Sequence, residues 1–278
     1  MPARLAGRVL LLAPLSRDEV AVGGQVRVRT GGAGFYAAWA LARRGARVTL
    51  HTPLAPEDRD LLAALPPEVE VVTHPSRRTT RFRIEVDLER PNDRILRLLA
   101  ASDPLDPQRI ATIEDGSSLL LGPLLPDDLS PALLERLRAA PAPCDLGAQG
   151  LVRRIDAQGR VRIAPLDPGL DLPRLRALAG DEEEWAALPR DIVDLASERI
   201  VTLGDRGSRI HLAGSEVPIE IAAAALHGPP REAIGLGDTF LAVYAWSRSR
   251  GLDPRDAGRD ASAAAAALLE GGPPGGSQ

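Results

Sequence analysis

From Arg8 to Leu15 the chain is almost unbroken apolar residues, with no alternation. A run of that kind predicts a strand buried on both faces, as in a parallel sheet. The rhythm changes at Val20 to Thr30, where apolar and polar residues alternate around Gly23-Gly24. This predicts a hairpin with one open face. Gly31-Gly32 leads into small and apolar residues, so a packed helix is expected over Ala37 to Arg44, ended by Gly45. A strand beginning at Arg47 to Leu50, a helix over Pro56 to Leu65 and a strand over Val69 to Thr73 follow. Period-two spacing returns at Phe82, Ile84, Val86 and Leu88. It resumes at Ile95, Leu96 and Leu98 after a turn at Pro91-Asn92-Asp93, which predicts a second hairpin.

The second half alternates strand and helix patterns. Strands are expected at Ser118 to Leu121, Cys144 to Gln149, Arg199 to Leu203, Arg209 to Leu212 and Val217 to Ile221, and Leu172 to Leu178 leads to the acidic turn at Gly180-Asp181. A helix over Pro131 to Ala139 has Asp127 or Ser130 as its cap. Near the end an apolar helix carries Phe240, Val243, Tyr244 and Trp246, with Arg248 and Arg250 in its last turn and Gly251 after it. Asp253 to Ala257, an alanine helix over Ala261 to Glu270 and a frayed GGPPGGSQ tail complete the chain. This alternation predicts one doubly wound α/β domain over residues 1–278 with a mostly parallel sheet. The two hairpins, at about 19–31 and 78–99, would stand apart from it as a small antiparallel lid.

Composition narrows the functions. Hydrophobic content of 44% supports a sizeable core, and only 3% aromatics makes that core mostly Leu, Val, Ile and Ala. A net charge of −4 argues against nucleic acid or an anionic membrane as the main partner. Every one of the 34 Lys-or-Arg residues is arginine, so neither a P-loop lysine nor a Schiff-base lysine is available. One cysteine, Cys144, excludes a disulfide framework and reads as a small core residue. The histidines at 51, 74, 211 and 227 show no metal-ligand spacing. VLLLAPL is too short for a membrane span and lacks a clear cleavage site, so a cytoplasmic location is expected.

The chemistry concentrates at Gly235-Leu236-Gly237-Asp238, where a turn opens the apolar helix. Free N–H groups and partial positive charge gather at a helix start, and glycines let an anion approach the backbone. Asp238 in that turn has two readings. One is a dipole-favoured carboxylate worth under about 1 kcal/mol. The other is a general base beside a phosphoryl-binding backbone.

GLGDTF resembles the GAGDTF signature of the ribokinase-like (PfkB) sugar kinases, and it stands at the matching place in the chain. The resemblance extends to the other end. Gly31-Gly32 up to Gly45 is similar to the family's GGxxxN…LG motif, with Tyr36 where the family has Asn. It implies that Gly31, Gly32, Tyr36 and Asp18, an aspartate following the first strand, bind substrate hydroxyls. From spacing alone Asp18 is a loop aspartate. The acidic turn Asp181-Glu182-Glu183-Glu184 resembles the NxxE motif, so Asp181 and Glu184 are implied Mg²⁺ residues; dipole-favoured acids in a first helical turn explain the same composition. TLGDRGS resembles a nucleotide loop, implying donor contacts at Thr202, Gly204 and Gly207; as a bare pattern it is a glycine-bearing hairpin turn. QGLVR at Gln149 to Arg153, the GGAxxF-type turn and RxLxxxxxxDP at Arg94 to Pro104 resemble the branch that includes myo-inositol kinases. Arg153 reads as a helix-start surface charge, and Arg81, Arg83 and Arg94 as solvated lid charges, with contact of one of them to substrate or product phosphate as the alternative.

The resemblance implies an ATP- and Mg²⁺-dependent phosphotransferase acting on a small sugar or polyol, with Asp238 as base and the Gly235, Leu236 and Gly237 backbone as anion hole. A homodimer through the lid is implied too. Departures at Tyr36, Gly147, Asp181, Leu236 and Glu232 keep a second expectation open, a weak or inactive sugar- or nucleotide-binding regulator. A dehydrogenase is disfavoured because no GxGxxG follows the first strand.

Overall fold

A computed structural model describes residues 8–86, 94–111, 113–114, 116–230 and 233–271. Leu88, the turn at Pro91-Asn92-Asp93, Glu232 and the tail beyond Gly271 lie outside the described residues.

In chain order the first half holds β1 (Arg8–Leu12), β2 (Ser16–Val22), β3 (Gln25–Gly31), α1 (Ala33–Ala42), β4 (Arg47–Leu54), β5 (Glu70–Pro75), β6 (Thr80–Val86), β7 (Arg94–Ala100), β8 (Ser118–Leu121) and α2 (Pro131–Arg138). The second half holds β9 (Cys144–Gly147), α3 (Gln149–Val152), β10 (Arg153–Ile155), β11 (Val161–Ile163), β12 (Leu175–Asp181), α4 (Glu182–Ala186), α5 (Arg190–Val193), β13 (Ala196–Thr202), β14 (Ser208–Leu212), β15 (Ile219–Ile221), α6 (Leu236–Ser249) and α7 (Pro254–Gly271).

The main sheet has nine strands in the order β15-β14-β13-β12-β9-β8-β1-β4-β5. From β5 to β13 every neighbouring pair is parallel, and β14 and β15 finish one edge antiparallel. Strand β1 shows why the apolar run is unbroken. Val9 and Leu11 pack into the core shared with α1, α6 and α7, while Leu10 and Leu12 pack into the core shared with α2 and α3. Each face needs its own apolar set, so alternation disappears.

The lid is a second sheet in the order β3-β2-β6-β7. Both hairpins, β2–β3 and β6–β7, are antiparallel, and they meet through a parallel β2–β6 pair. That pairing runs from Ser16↔Thr80 to Val22↔Val86 and draws Asp18 into β2 opposite Arg29 and Phe82. Asp18 is therefore a strand residue and not a loop aspartate. A short hairpin, β10–β11, extends the lid: Leu98 N–H donates to the Gly159 carbonyl at 2.8 Å, and Arg97 bridges Arg160. Nothing in the apolar pattern of that stretch pointed to it.

Helix boundaries moved where backbone geometry overrode composition. Helix α1 begins at Ala33, directly after Gly32 at φ 85°. Gln149, expected at the end of a strand, opens α3. Ser130, not Asp127, caps α2, its Oγ accepting from Leu133 N–H at 3.3 Å. The alanine-rich end and Asp253–Ala257 merge into the single helix α7.

An ion network is built into the sheet beneath α6. Arg176 on β12 forks onto Asp145 on β9, with Nε to Oδ1 at 2.9 Å. It also donates to Ser118 Oγ at 2.9 Å and to the Ala245 carbonyl of α6 at 3.1 Å. Glu198 on β13 accepts from Tyr244 Oη at 2.7 Å and from Arg248 Nη2 at 2.6 Å. Buried carboxylates are tolerated when so paired, and the network fastens the C-terminal half of α6 to four strands, β8, β9, β12 and β13.

Candidate active site

Helix α6 starts at Gly235, which takes a left-handed conformation at φ 76°. A β-carbon there would come within 2.1 Å of Tyr36 Cγ. Conformation and space both demand glycine. Gly237 is the opposite case: nothing lies within 4 Å of where its β-carbon would be, and it is exposed. The turn thus has one glycine locked by the core and one open to an incoming group. Tyr36 is only 3% exposed, and its ring is what Gly235 packs against. The position expected to read substrate therefore braces the turn from behind.

Asp238, in the first turn of α6, accepts a hydrogen bond on Oδ1 from Gln149 Nε2 at 2.8 Å. Gln149 Oε1 accepts from Arg153 Nη2 at 2.8 Å, and Arg153 Nη1 donates to the Leu124 carbonyl at 3.3 Å. Burial pushes the Asp238 carboxyl above its ordinary value, while the Arg153 and Arg94 charges and the Gln149 hydrogen bond pull it back. Arg94 reaches from lid strand β7 to donate to the Ala233 carbonyl at 2.6 Å, two residues before Gly235.

Asp18 points inward from β2 and is 3% exposed. A β-carbon on Gly31 would lie 1.9 Å from Asp18 Oδ2, so the glycine makes room for the carboxylate. Among the described residues Oδ1 has no hydrogen-bond partner. Burial raises this carboxyl to about 6, against the pull of the Ser16 hydrogen bond and the Arg29 and Arg153 charges. Gly32 serves the backbone: a β-carbon would meet the Pro14 carbonyl at 2.6 Å.

Asp181 and Glu184 form a capping box at the start of α4. Asp181 Oδ1 accepts from Glu184 N–H at 2.9 Å, and Glu184 Oε2 accepts from Asp181 N–H at 3.0 Å. One oxygen of each carboxylate stays outside these two bonds. Burial, with Asp181 beside it, lifts Glu184 to about 7. Such a site favours positive charge. Among the described residues no group of three or more His, Cys, Asp or Glu could hold a metal. Two carboxylates with retained waters suit a hard cation such as Mg²⁺.

Thr202, Gly204 and Gly207 lie on the β13–β14 hairpin. Thr202 Oγ1 donates to the Gly180 carbonyl at 3.3 Å, tying the hairpin to the strand that carries Asp181. Gly204, at φ 64°, has open space around it. Gly207, at φ 89°, does not, since a β-carbon would meet the Ile221 carbonyl at 2.0 Å. Arg206 in the same turn forms an ion pair with Glu182 of α4. The acidic turn and the glycine hairpin are therefore neighbours.

Arg153 links these pieces. Its charge acts on Asp18, Asp128, Glu184 and Asp238 together. Half-buried at the end of α3, it is not the surface charge that composition predicted. Arg94 is likewise more than a solvated lid charge.

No protein-family model and no curated protein matches the chain. Solved structures do. A pyrophosphate-dependent kinase in the ribokinase family, complexed with a pyrophosphate analog and myo-inositol, is similar at a TM-score of 0.77 and 22% identity, with 94% of each chain covered. The nucleoside kinase of Burkholderia thailandensis in complex with inosine is similar at 0.70 and 20% identity, over 95% of this chain and 92% of that one. Ribokinase from Thermotoga maritima is similar at 0.67 and 18% identity, over 95% and 93%. The chain has the ribokinase-like fold. Within the ribokinase-like fold, the residues that sequence reasoning undervalued are Gln149, Arg153 and Arg94. For two of them a signal was present: Gln149 and Arg153 are four apart, the spacing at which side chains neighbour one another around a helical turn.

Proposed function

We propose that the protein is a kinase that phosphorylates a hydroxyl of a small sugar or polyol, with ATP as donor and Mg²⁺ as cofactor. The observation that carries this reading is the pairing of Asp238 with an open glycine turn, joined through the Arg153 charge to the buried, half-satisfied carboxylate of Asp18. Asp18, Gly31 and Gly32 hold the acceptor hydroxyls, with Tyr36 setting the wall behind Gly235. Asp238 uses its Oδ2, left outside the Gln149 bond, to take the proton of the attacking hydroxyl. The acceptor oxygen forms a bond to the γ-phosphorus as the bond to the β–γ bridging oxygen breaks, and ADP leaves with that electron pair. The N–H groups of Gly235, Leu236, Gly237 and Asp238 hold the transferring group's oxygens. Thr202, Gly204 and Gly207 line the donor side. Asp181 and Glu184 would hold Mg²⁺ through waters, where it would neutralise donor phosphate charge.

One observation favours a second donor. A similar structure carries a pyrophosphate analog, so pyrophosphate belongs in the assay beside ATP. Exposed Val26 and Val28 on edge strand β3 support a homodimer through the lid, which sedimentation at micromolar concentration tests.

The test is phosphoryl transfer with Mg²⁺ across sugars, polyols and nucleosides, with either donor, in wild type and Asp238→Asn. Turnover of one acceptor that is lost in the variant is expected. Binding of acceptor and donor without turnover would replace the kinase with the regulator. Turnover that survives Asp238→Asn would move the base elsewhere.

A further inference from the structure

Asp238 is held by a chain of two bonds whose direction chemistry fixes. A guanidinium only donates, so the Gln149 oxygen must face Arg153. The amide nitrogen is thereby turned toward Asp238, where it can only donate. Arg153 is itself fixed, since its other arm is spent on the Leu124 carbonyl. The three side chains come from two parts of the sequence 89 residues apart and meet at the mouth of the sheet.

We propose that Arg153 is a positioning residue for Asp238, acting through Gln149: it locks the amide with its N–H toward the carboxylate and so favours the anionic form a base requires. The inference rests on the kinase reading for the meaning of the base, but the contact itself can be tested without turnover. The groups facing Asp238 are Gln149 on α3, Arg153 at the start of β10, Arg94 from lid strand β7, Glu184 on α4 and the free N–H groups of α6's own first turn. Arg94 adds positive charge from the lid side and Glu184 opposes it. Only Gln149 among these side chains donates a hydrogen bond to Asp238. Gln149 and Arg153 therefore form the single chain that supplies orientation and charge together.

The experiment is carbon-13 NMR titration of aspartate carboxyls in the full-length protein, with Asp238→Asn to assign the signal. Arg153→Met, Arg153→Lys and Gln149→Leu are compared with wild type. Removing the cation or the donor disfavours the anion, so the Asp238 midpoint rises. Arg153→Met is expected to raise it by about one unit or more, and Gln149→Leu by a smaller amount. Arg153→Lys restores part of the shift, because charge returns without the planar fork. In turnover, the acidic limb of the kcat profile moves up with the midpoint, costing about tenfold in rate below it per unit.

A merely structural arginine would lower activity at every pH and leave the titration in place. An Asp238 midpoint unmoved in folded Arg153→Met overturns the proposal. So does a midpoint moved by Arg153→Met but untouched by Gln149→Leu, since the charge would then act without the amide. Should Arg153→Met fail to fold, Arg153→Lys and Gln149→Leu decide. Absence of turnover in wild type would sink the kinase reading and leave the titration result standing.

Discussion

Helix α6 has two electrostatic ends. At its C-terminal half, Glu198 accepts from Tyr244 and Arg248, and Asp145 is closed off by both arms of Arg176. At its N-terminus, Asp238 accepts one amide hydrogen bond, and Asp18, which feels the same Arg153 charge, keeps an oxygen without a described partner. Both ends contain carboxylates removed from water. At one end the carboxylates are closed off by paired donors. The other is left short of partners, which is how a protein stores the capacity to bind something else.

The contrast is broken most directly by two opposite substitutions. Asp238→Asn should cost about a thousandfold in turnover and leave the melting temperature equal or higher, since a desolvated charge disappears. Calorimetry beside the assay checks this, and a destabilised variant would place Asp238 with the scaffold. Asp145→Ala should do the reverse. Leaving Arg176 buried without its partner is expected to cost about 4 kcal/mol of stability, read by denaturant unfolding. A loss under about 1 kcal/mol would mean that water replaces the carboxylate.

Gly235→Ala sits between the two ends. Left-handed backbone and the Tyr36 ring both oppose a methyl group, so a loss of about 3 kcal/mol is expected together with loss of turnover. A variant that unfolds no more easily than wild type would show that the ring can retreat.

Glu184 gives a pH signature. Its carboxyl is raised from 4.5 to about 7, so the folded protein keeps this proton to higher pH than the unfolded chain does. Stability from this group therefore falls as pH climbs from about 4.5 to about 7, then levels off. Glu184→Gln should flatten that decline in thermal scans without Mg²⁺. A decline of unchanged slope in the variant would assign it to other groups. The smallest effect is expected for Asp181→Asn. Asparagine keeps an oxygen for the capping bond from Glu184 N–H, so stability should change by under about 0.5 kcal/mol. A larger loss in calorimetry would show that charge, not the cap, holds the start of α4.

What was legible in the sequence followed from local rules. The unbroken β1 run, the Gly23-Gly24 hairpin and the glycine turn before α6 each carry their own signal in a few residues. The lid pairing of β2 with β6 did not, because a parallel pair between distant hairpins leaves no trace in period-two spacing. Asp18 was misplaced for that reason. The β10–β11 hairpin was silent as well: Arg153-Arg154-Ile155 has the composition of a loop, and only antiparallel pairing with β11 makes it a strand. The buried partnership of His51 and His74, Nδ1 to Nε2 at 3.0 Å on adjacent strands β4 and β5, was invisible to spacing along the chain. Tyr36 marks the limit of motif reasoning. The motif pointed to Tyr36 as a substrate contact; the structure shows its ring packed behind Gly235, a neighbour no motif spacing along the chain reveals.

Cys144 lies buried in β9, and burial holds its thiol well above the ordinary range. The native protein is therefore silent toward maleimide dyes and spin labels under mild conditions. One cysteine placed on the exposed tip of β3 and one on α7 would carry the only reactive thiols. Distances between such labels, measured with and without candidate acceptors and donors, would report directly whether the lid sheet moves, with no background to subtract.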